Sequence, residues 1–390
     1  MIRTPIYFDN NATTPTDPRV VEAMLPYFTE RFGNAASRTH KLGWEAEAAV
    51  ENARALLARA IGADPTEIVF TSGATESDNL ALKGVAEAYA GKGSHLITAQ
   101  TEHKAILDSC KHLEKRGFRV TYLKPRPDGL IDLEELADTI TEQTLLVSIM
   151  HANNEIGVLQ DVAAIGHLCH EQGVLFHTDA SQSLGKVPID VQKMQIDLAS
   201  FTAHKLYGPK GIGALYVRRR DPQVRLAIQM DGGGHERGFR SGTLNVTGIV
   251  GFGKAAQICQ EEMETERRRL TFLRDKLKNG LRSALSDVTI NGHETQRLPG
   301  NLNLSFAGVE SDSLMARLSD VALSSGSACN SGEVTPSYVL KAISLPDALA
   351  LSAVRFGLGR FNTEEEVDYV IGRCVEAVNG LRELSPLGER

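Results

Sequence analysis

The chain has 390 residues, with 42 lysines and arginines against 49 aspartates and glutamates, a formal net charge of −7. That acidic balance argues against a nucleic-acid-binding surface, and 42% hydrophobic with 23% charged residues is ordinary for a globular protein. No apolar run is long enough to span a bilayer, and Met1-Ile-Arg-Thr-Pro-Ile-Tyr7 carries no signal-peptide apolar stretch, so a cytoplasmic location without a membrane partner is expected.

Short β-rich runs alternate with longer helical patterns. The strands are expected at Glu67–Thr71, His95–Thr98, Arg119–Leu123, Leu145–Met150, Val174–His177, Leu198–Phe201 and Gly213–Val217. Several are apolar without alternation, as in a parallel sheet covered on both faces. Between them lie amphipathic stretches, such as the one with Val50, Ala53, Leu57 and Ile61 at helical spacing. The alternation reads as βαβ units, hence an α/β fold with a mostly parallel sheet.

After Gly253 the texture changes. Glu261–Leu285 reads as a charged helix with Leu270, Leu273, Leu277 and Leu281 on one stripe. A strand at Asn301–Phe306, a helix at Glu310–Leu318, a cysteine-bearing loop and a C-terminal helix through Val367, Val370, Ile371, Cys374 and Val378 follow. The expected organisation is a large α/β domain over 15–257 and a smaller α+β domain built from 1–14 and 258–390.

Chemistry-bearing residues follow the strand ends. Thr71-Ser-Gly-Ala-Thr-Glu-Ser-Asp-Asn79 is a turn into a helix, whose N–H groups with the Thr75 hydroxyl suit a phosphate, or simply an N-capped helix. His103, in Thr101-Glu-His-Lys-Ala105, suits proton transfer or ring stacking, and Asn154, in His151-Ala-Asn-Asn-Glu-Ile-Gly157, suits a hydroxyl or carboxylate. Both also fit plain turns. Asp179 and Gln182 lie in His177-Thr-Asp-Ala-Ser-Gln-Ser183, where a carboxylate can meet a pyridinium nitrogen or cap a helix. Lys205 ends an apolar run before Gly208-Pro-Lys-Gly-Ile-Gly213, a place for a Schiff-base lysine. Together Lys205 and Asp179 are what pyridoxal 5'-phosphate requires.

Further along, Gly232-Gly-Gly-His-Glu-Arg-Gly-Phe-Arg-Ser-Gly-Thr243 is a glycine-rich loop able to wrap an anion or to remain a surface loop. The five cysteines, Cys110, Cys169, Cys259, Cys329 and Cys374, are odd in number and far apart, which argues against a disulfide framework or a resident zinc site. Cys329 alone sits in a small-residue loop, Ser324-Ser-Gly-Ser-Ala-Cys329, open enough for a nucleophile. Arg355, on an expected strand, suits a carboxylate clamp or a structural ion pair.

These motifs, with Asp9-Asn-Asn-Ala-Thr-Thr14, resemble class V aminotransferase-type enzymes of the PLP-dependent transferase fold type I, and the glycine-rich and Cys329 loops narrow the resemblance to NifS/IscS-type cysteine desulfurases. The resemblance implies that L-cysteine becomes L-alanine and sulfur, with a persulfide on Cys329. It implies that Lys205 binds the cofactor covalently, that His103 stacks on the ring and moves protons, and that Asp179 and Gln182 contact the ring. Ala74, Thr75, Thr202 and His204 match phosphate and cofactor positions. Thr243 matches a phosphate contact from a second subunit, implying a homodimer, and Asn154 and Arg355 match contacts to the substrate carboxylate. The implied partners are an iron–sulfur scaffold, on which Cys329 would transiently ligate a cluster, or another acceptor such as one for tRNA thiolation. A selenocysteine lyase on the same fold and a non-catalytic sulfur carrier or scaffold are the alternatives. Asn330-Ser-Gly-Glu333 departs from the family pattern after the cysteine.

Overall fold

The computed structural model describes residues 2–325, 328–330 and 333–384, with the side chains of 328–330, 333 and 334 left out. Strand β1 (Ile6–Tyr7) comes first, and the next seven strands form one sheet: β2 (Ile68–Thr71), β3 (His95–Ala99), β4 (Arg119–Leu123), β5 (Thr144–Ser148), β6 (Leu175–Asp179), β7 (Leu198–Thr202) and β8 (Gly213–Val217). The strand order is β2-β8-β7-β6-β5-β3-β4, and only β8 runs against its neighbours. Each of the seven expected strands is present, displaced by no more than two residues at either end.

Alternate residues of these strands feed two apolar layers. Phe70, Ile97, Val147, Phe176 and Phe201 pack under helices Lys41–Ile61 and Val246–Ala284. Val69, Leu96, Leu146, Leu198 and Leu215 pack under helices Ala74–Ala88 and Lys104–Glu114. Covering on both faces explains why the strands read as continuous apolar runs.

The helix expected from Glu261 begins fifteen residues earlier and is continuous over Val246–Ala284. Gly253, after which the texture changes, is a contact point between helices. A Cβ at Gly253 would lie 2.6 Å from Ala53 Cα, so glycine is what lets the two long helices touch backbone to backbone. The C-terminal half of the helix then turns Leu270, Leu273, Leu277 and Leu281 into a second core.

That second core lies against an antiparallel sheet of β9 (Val288–Ile290), β10 (Asn301–Phe306), β12 (Ser324–Ser325) and β15 (Ala353–Gly357), in the order β12-β15-β10-β9. Helix Glu364–Leu384 covers it with Val367, Val370, Cys374 and Val378. The N-terminal strand β1 joins this part of the molecule by pairing in parallel with β11 (Val321–Ala322). Cys329 lies on β13 (Ala328–Asn330), paired antiparallel with β14 (Glu333–Thr335), and its side chain, like that of Glu333, falls outside the described residues. Among the described residues no helix is long and apolar enough to cross a membrane.

Candidate active site

Strands β2, β3, β5, β6 and β7 point the same way, so the loops after them converge at one edge of the sheet. Open α/β sheets bind ligands outside the C-terminal ends of their strands. A cavity of about 520 Å³ lies there, lined by Ala74 and Thr75 after β2, His103 after β3, Asp179 at the end of β6, and Thr202, His204 and Lys205 at the end of β7. Seven residues singled out in four separate segments therefore share one cavity.

The first turn of helix Ala74–Ala88 forms one wall. Its N-cap is Gly73, and no side chain caps it, so the leading N–H groups remain available to an anion. A Cβ on Gly213 would sit 2.6 Å from Gly73 Cα, which holds β8 and this turn in close approach. His204 accepts or donates at 3.1 Å to the Thr13 hydroxyl, and burial together with the Lys205 and Lys210 charges lowers its pKa to about 4. It is therefore neutral at neutral pH.

Opposite this turn, Ser181 N–H donates to Asp179 Oδ1 at 2.9 Å, fixing the carboxylate while its other oxygen is left to the cavity. Lys205 has its pKa lowered by burial, with the Asp179 charge opposing. A desolvated amine of this kind spends more time neutral, the form that attacks carbonyls. His103 Nδ1 accepts from Ala105 N–H at 3.2 Å, so the imidazole caps its own helix and carries its proton on Nε2 when neutral. Burial lowers its pKa as well.

An uncapped helix terminus beside a basic residue, a fixed carboxylate and a desolvated amine match the phosphate, ring nitrogen and aldehyde of pyridoxal phosphate. The donor set suits that cofactor.

Other expected residues stand elsewhere. Gln182 is buried behind the cavity. Its amide N–H donates to the Asn11 carbonyl at 2.7 Å, and its oxygen accepts from Asn11 and Lys186. Thr243 is exposed. Arg355 makes the ion pair weighed as its alternative, donating to Asp9 Oδ1 at 2.8 Å, and it also donates to the Asn154 carbonyl at 2.9 Å. Its Nε, buried, has no hydrogen-bond partner among the described residues.

The stretch that contains Cys329 is anchored at both ends beside this cavity. Ser324 donates to Asp9 Oδ1 at 2.8 Å. Ser337 donates to Glu155, and Tyr338 donates to the Glu102 carbonyl at 2.8 Å, next to His103. The remaining cysteines, Cys110, Cys169, Cys259 and Cys374, are buried, and desolvation lifts their thiols to about 12, 12, 11 and 12. They are structural. Among the described residues no group of three or more histidine, cysteine, aspartate or glutamate side chains is placed to hold a metal ion.

The family model of the class-V aminotransferases matches residues 6–370. A protein named cysteine desulfurase IscS from Anaeromyxobacter dehalogenans is 59% identical over 388 residues, covering 100% of this chain and 96% of that one. The chain belongs to the class-V aminotransferase family, among the NifS/IscS-type cysteine desulfurases. A solved structure of a NifS-like protein superposes with a TM-score of 0.90 at 40% identity, covering 96% of this chain and 99% of that one. Another, SspA in complex with cysteine, gives 0.81 at 39% identity over 92% of this chain and 100% of that one.

Sequence reasoning passed over several polar groups packed around this family site. Asp78, Glu102 and His177 are fully buried behind Asp179, and Asp9 holds Arg355. Asp78 had a legible signal: it falls on the same helical stripe as Ala81, Leu82 and Val85, where an apolar residue is the rule.

Proposed function

We propose that this protein is a pyridoxal-phosphate-dependent cysteine desulfurase that converts L-cysteine to L-alanine and retains the sulfur as a persulfide on Cys329. What supports the reading above all is the convergence of Lys205, Asp179, His103 and the uncapped helix N-terminus on one cavity, in a chain of this family.

Pyridoxal phosphate, when bound, supplies an electron sink for the substrate Cα. The N-terminal turn at Ala74 and Thr75, with Thr202 and His204, holds its phosphate. Thr243 completes that cradle from a second copy of the chain, so the working unit is a homodimer. Asp179 would hold the ring nitrogen, His103 would stack on the ring, and Gln182 would support the ring side of the site by fixing the Asn11 segment. Lys205 anchors the cofactor and moves a proton at Nζ.

Arg355 receives the substrate carboxylate through its free Nε edge, with Asn154 beside it. The Cys329 thiolate attacks the substrate sulfur. A sulfur–sulfur bond forms, the carbon–sulfur bond breaks, and its electron pair stays on carbon, which takes up a proton on the way to alanine. The persulfide then passes to an acceptor, an iron–sulfur scaffold or a protein of tRNA thiolation, in the cytoplasm.

The test is to load the purified protein with pyridoxal phosphate, add L-cysteine, and measure alanine and sulfide. Absence of alanine refutes the activity. Cys329→Ser should keep the visible absorbance of the cofactor and lose turnover, whereas Lys205→Ala should lose the absorbance of the lysine-linked cofactor. Competing L-selenocysteine against L-cysteine separates the desulfurase from a selenocysteine lyase.

A further inference from the structure

Behind Asp179 lies a polar cluster that the proposed reaction does not use. His177 and Asp179 are two residues apart on β6, so their side chains leave the same face of the strand. The His177 ring bridges the neighbouring strands: Nδ1 is 2.8 Å from Ser148 Oγ on β5, and Nε2 is 3.0 Å from Ser200 Oγ on β7. Helix Ala74–Ala88 closes over this ladder and sets Asp78 Oδ1 3.8 Å from His177 Nε2.

Asp78 is 0% exposed; among the described residues neither carboxyl oxygen has a close hydrogen-bond partner, and the nearby Ser200 hydroxyl, which favours the ionised form, also meets His177 at 3.0 Å. An ionised carboxylate cannot persist there: it would be dry, unpaired and close to the second anion at Asp179. His177 offers no counter-charge, because its own burial lowers its pKa to about 4. Glu102, which turns toward the same interior from the end of β3, is no cation either; its Oε1 accepts from Met150 N–H at 2.8 Å and its Oε2 has no partner. Lys205, across Asp179, is the nearest amine acting on the cluster, and it is itself desolvated. Burial and the Asp179 charge both push the Asp78 carboxyl toward its protonated form.

We infer that Asp78 is a protonated, neutral carboxyl packed beside the neutral His177 ring, and that this buried acid is a positioning residue for Asp179. While Asp78 keeps its proton, Asp179 is the one anion of the pair and keeps its charge for the cofactor nitrogen. Asp78 then acts only through Asp179 and touches neither substrate nor cofactor. The inference rests on the cofactor reading above.

Infrared spectroscopy of the full-length protein without cofactor reads the proton directly. Wild type should show a protonated-aspartate C=O stretch at neutral pH, identified by its shift on isotope labelling of aspartate, that disappears in Asp78→Asn and persists in Glu102→Gln, whereas the band of Glu102, whose carboxyl burial also pushes up, is lost only in the latter. Isotope labelling of aspartate, which should shift the same band in wild type, serves if the Asn variant folds poorly. In the pyridoxal-phosphate-loaded enzyme, wild type and Asp78→Asn should share one visible spectrum at neutral pH. Their alkaline titrations should separate by about one pH unit, since only wild type gains a charge beside Asp179. No aspartate band at neutral pH, or superimposable alkaline titrations, overturns the inference. If the protein takes up no pyridoxal phosphate, the cofactor reading fails, and the infrared arm still decides whether Asp78 is protonated.

Discussion

Arg355 and Asp9 form an ion pair at 2.8 Å across the junction of β15 with the N-terminal segment, and the same Asp9 oxygen accepts the hydroxyl of Ser324. Strand pairing reinforces the tie, since Ser324 is registered opposite Arg355. One carboxylate thus orients the arginine proposed to read the substrate carboxylate and fixes the start of the stretch leading to Cys329.

Asp9→Asn should separate these duties. The amide oxygen can still accept from Ser324, but the charge that orients Arg355 is gone. Hydrogen bonds to charged groups are worth about 1.5–3 kcal/mol, so KM for L-cysteine should rise about tenfold or more. The absorbance of bound cofactor should stay unchanged, because Asp9 does not line the cofactor cavity. Steady-state kinetics with absorbance spectra on the same preparation check both. An unchanged KM refutes the orienting role.

Acid should remove the stability held by the buried neutral histidines. His95, His151, His177 and His204 all have pKa values lowered to about 4 from 6.5, burial being the largest cause in each. Between those values the unfolded chain binds protons that the folded chain refuses. The histidines' contribution is therefore full above about pH 6.5 and falls as pH drops toward 4, by up to ~1.4 kcal/mol per pH unit each, while Asp78, Glu102 and Asp197, whose carboxyls burial pushes up, contribute in the opposite sense. Chemical denaturation at pH 7, 6, 5 and 4 measures the slope. His95→Gln, which removes the titrating ring held between Thr144 and Thr121, should flatten it.

Lys186 should act at the other end of the scale. Burial, with the Lys205 charge next, lowers its pKa to about 7 from 10.5, and its amine donates to Gln182 at 3.2 Å. The unfolded chain holds this proton up to pH 10.5, while the folded chain releases it near 7. The folded state is penalised most below pH 7, and the penalty fades as pH rises through that window. Lys186→Met should therefore be more stable than wild type at pH 6, with the difference shrinking toward pH 10. A constant difference across that range would show that Lys186 does not titrate in it.

The large sheet was legible because burial on both faces leaves an unbroken apolar record in β2 to β8. The cavity was legible because its residues follow strand ends, so that local motifs already name Lys205, Asp179 and His103. Contacts made across hundreds of residues leave no such record. Nothing near Arg355 announces Asp9, 346 positions away in the chain, and no spacing rule distinguishes Cys329 from the four buried cysteines; its small-residue loop made it a candidate and the family resemblance gave it a role. Gln182 had the right address beside Asp179 but turns its amide to Asn11, a choice set by tertiary packing.

Gly253 gives the most direct test of the fold. Read locally, glycine weakens a helix by about 1 kcal/mol relative to alanine and suggests a boundary. Gly253→Ala should then stabilise the protein if helix propensity governed. Here the added methyl would meet the Ala53 backbone at 2.6 Å, and backbone of a 21-residue helix cannot step aside. Overpacking of this kind costs about 1–3 kcal/mol, which outweighs the propensity gain. Thermal unfolding of Gly253→Ala should show a lower midpoint. Gly372, in the C-terminal helix with open space around its Cβ position, is the control, and Gly372→Ala should raise the midpoint. A rise in both variants would mean that the two long helices are not in backbone contact.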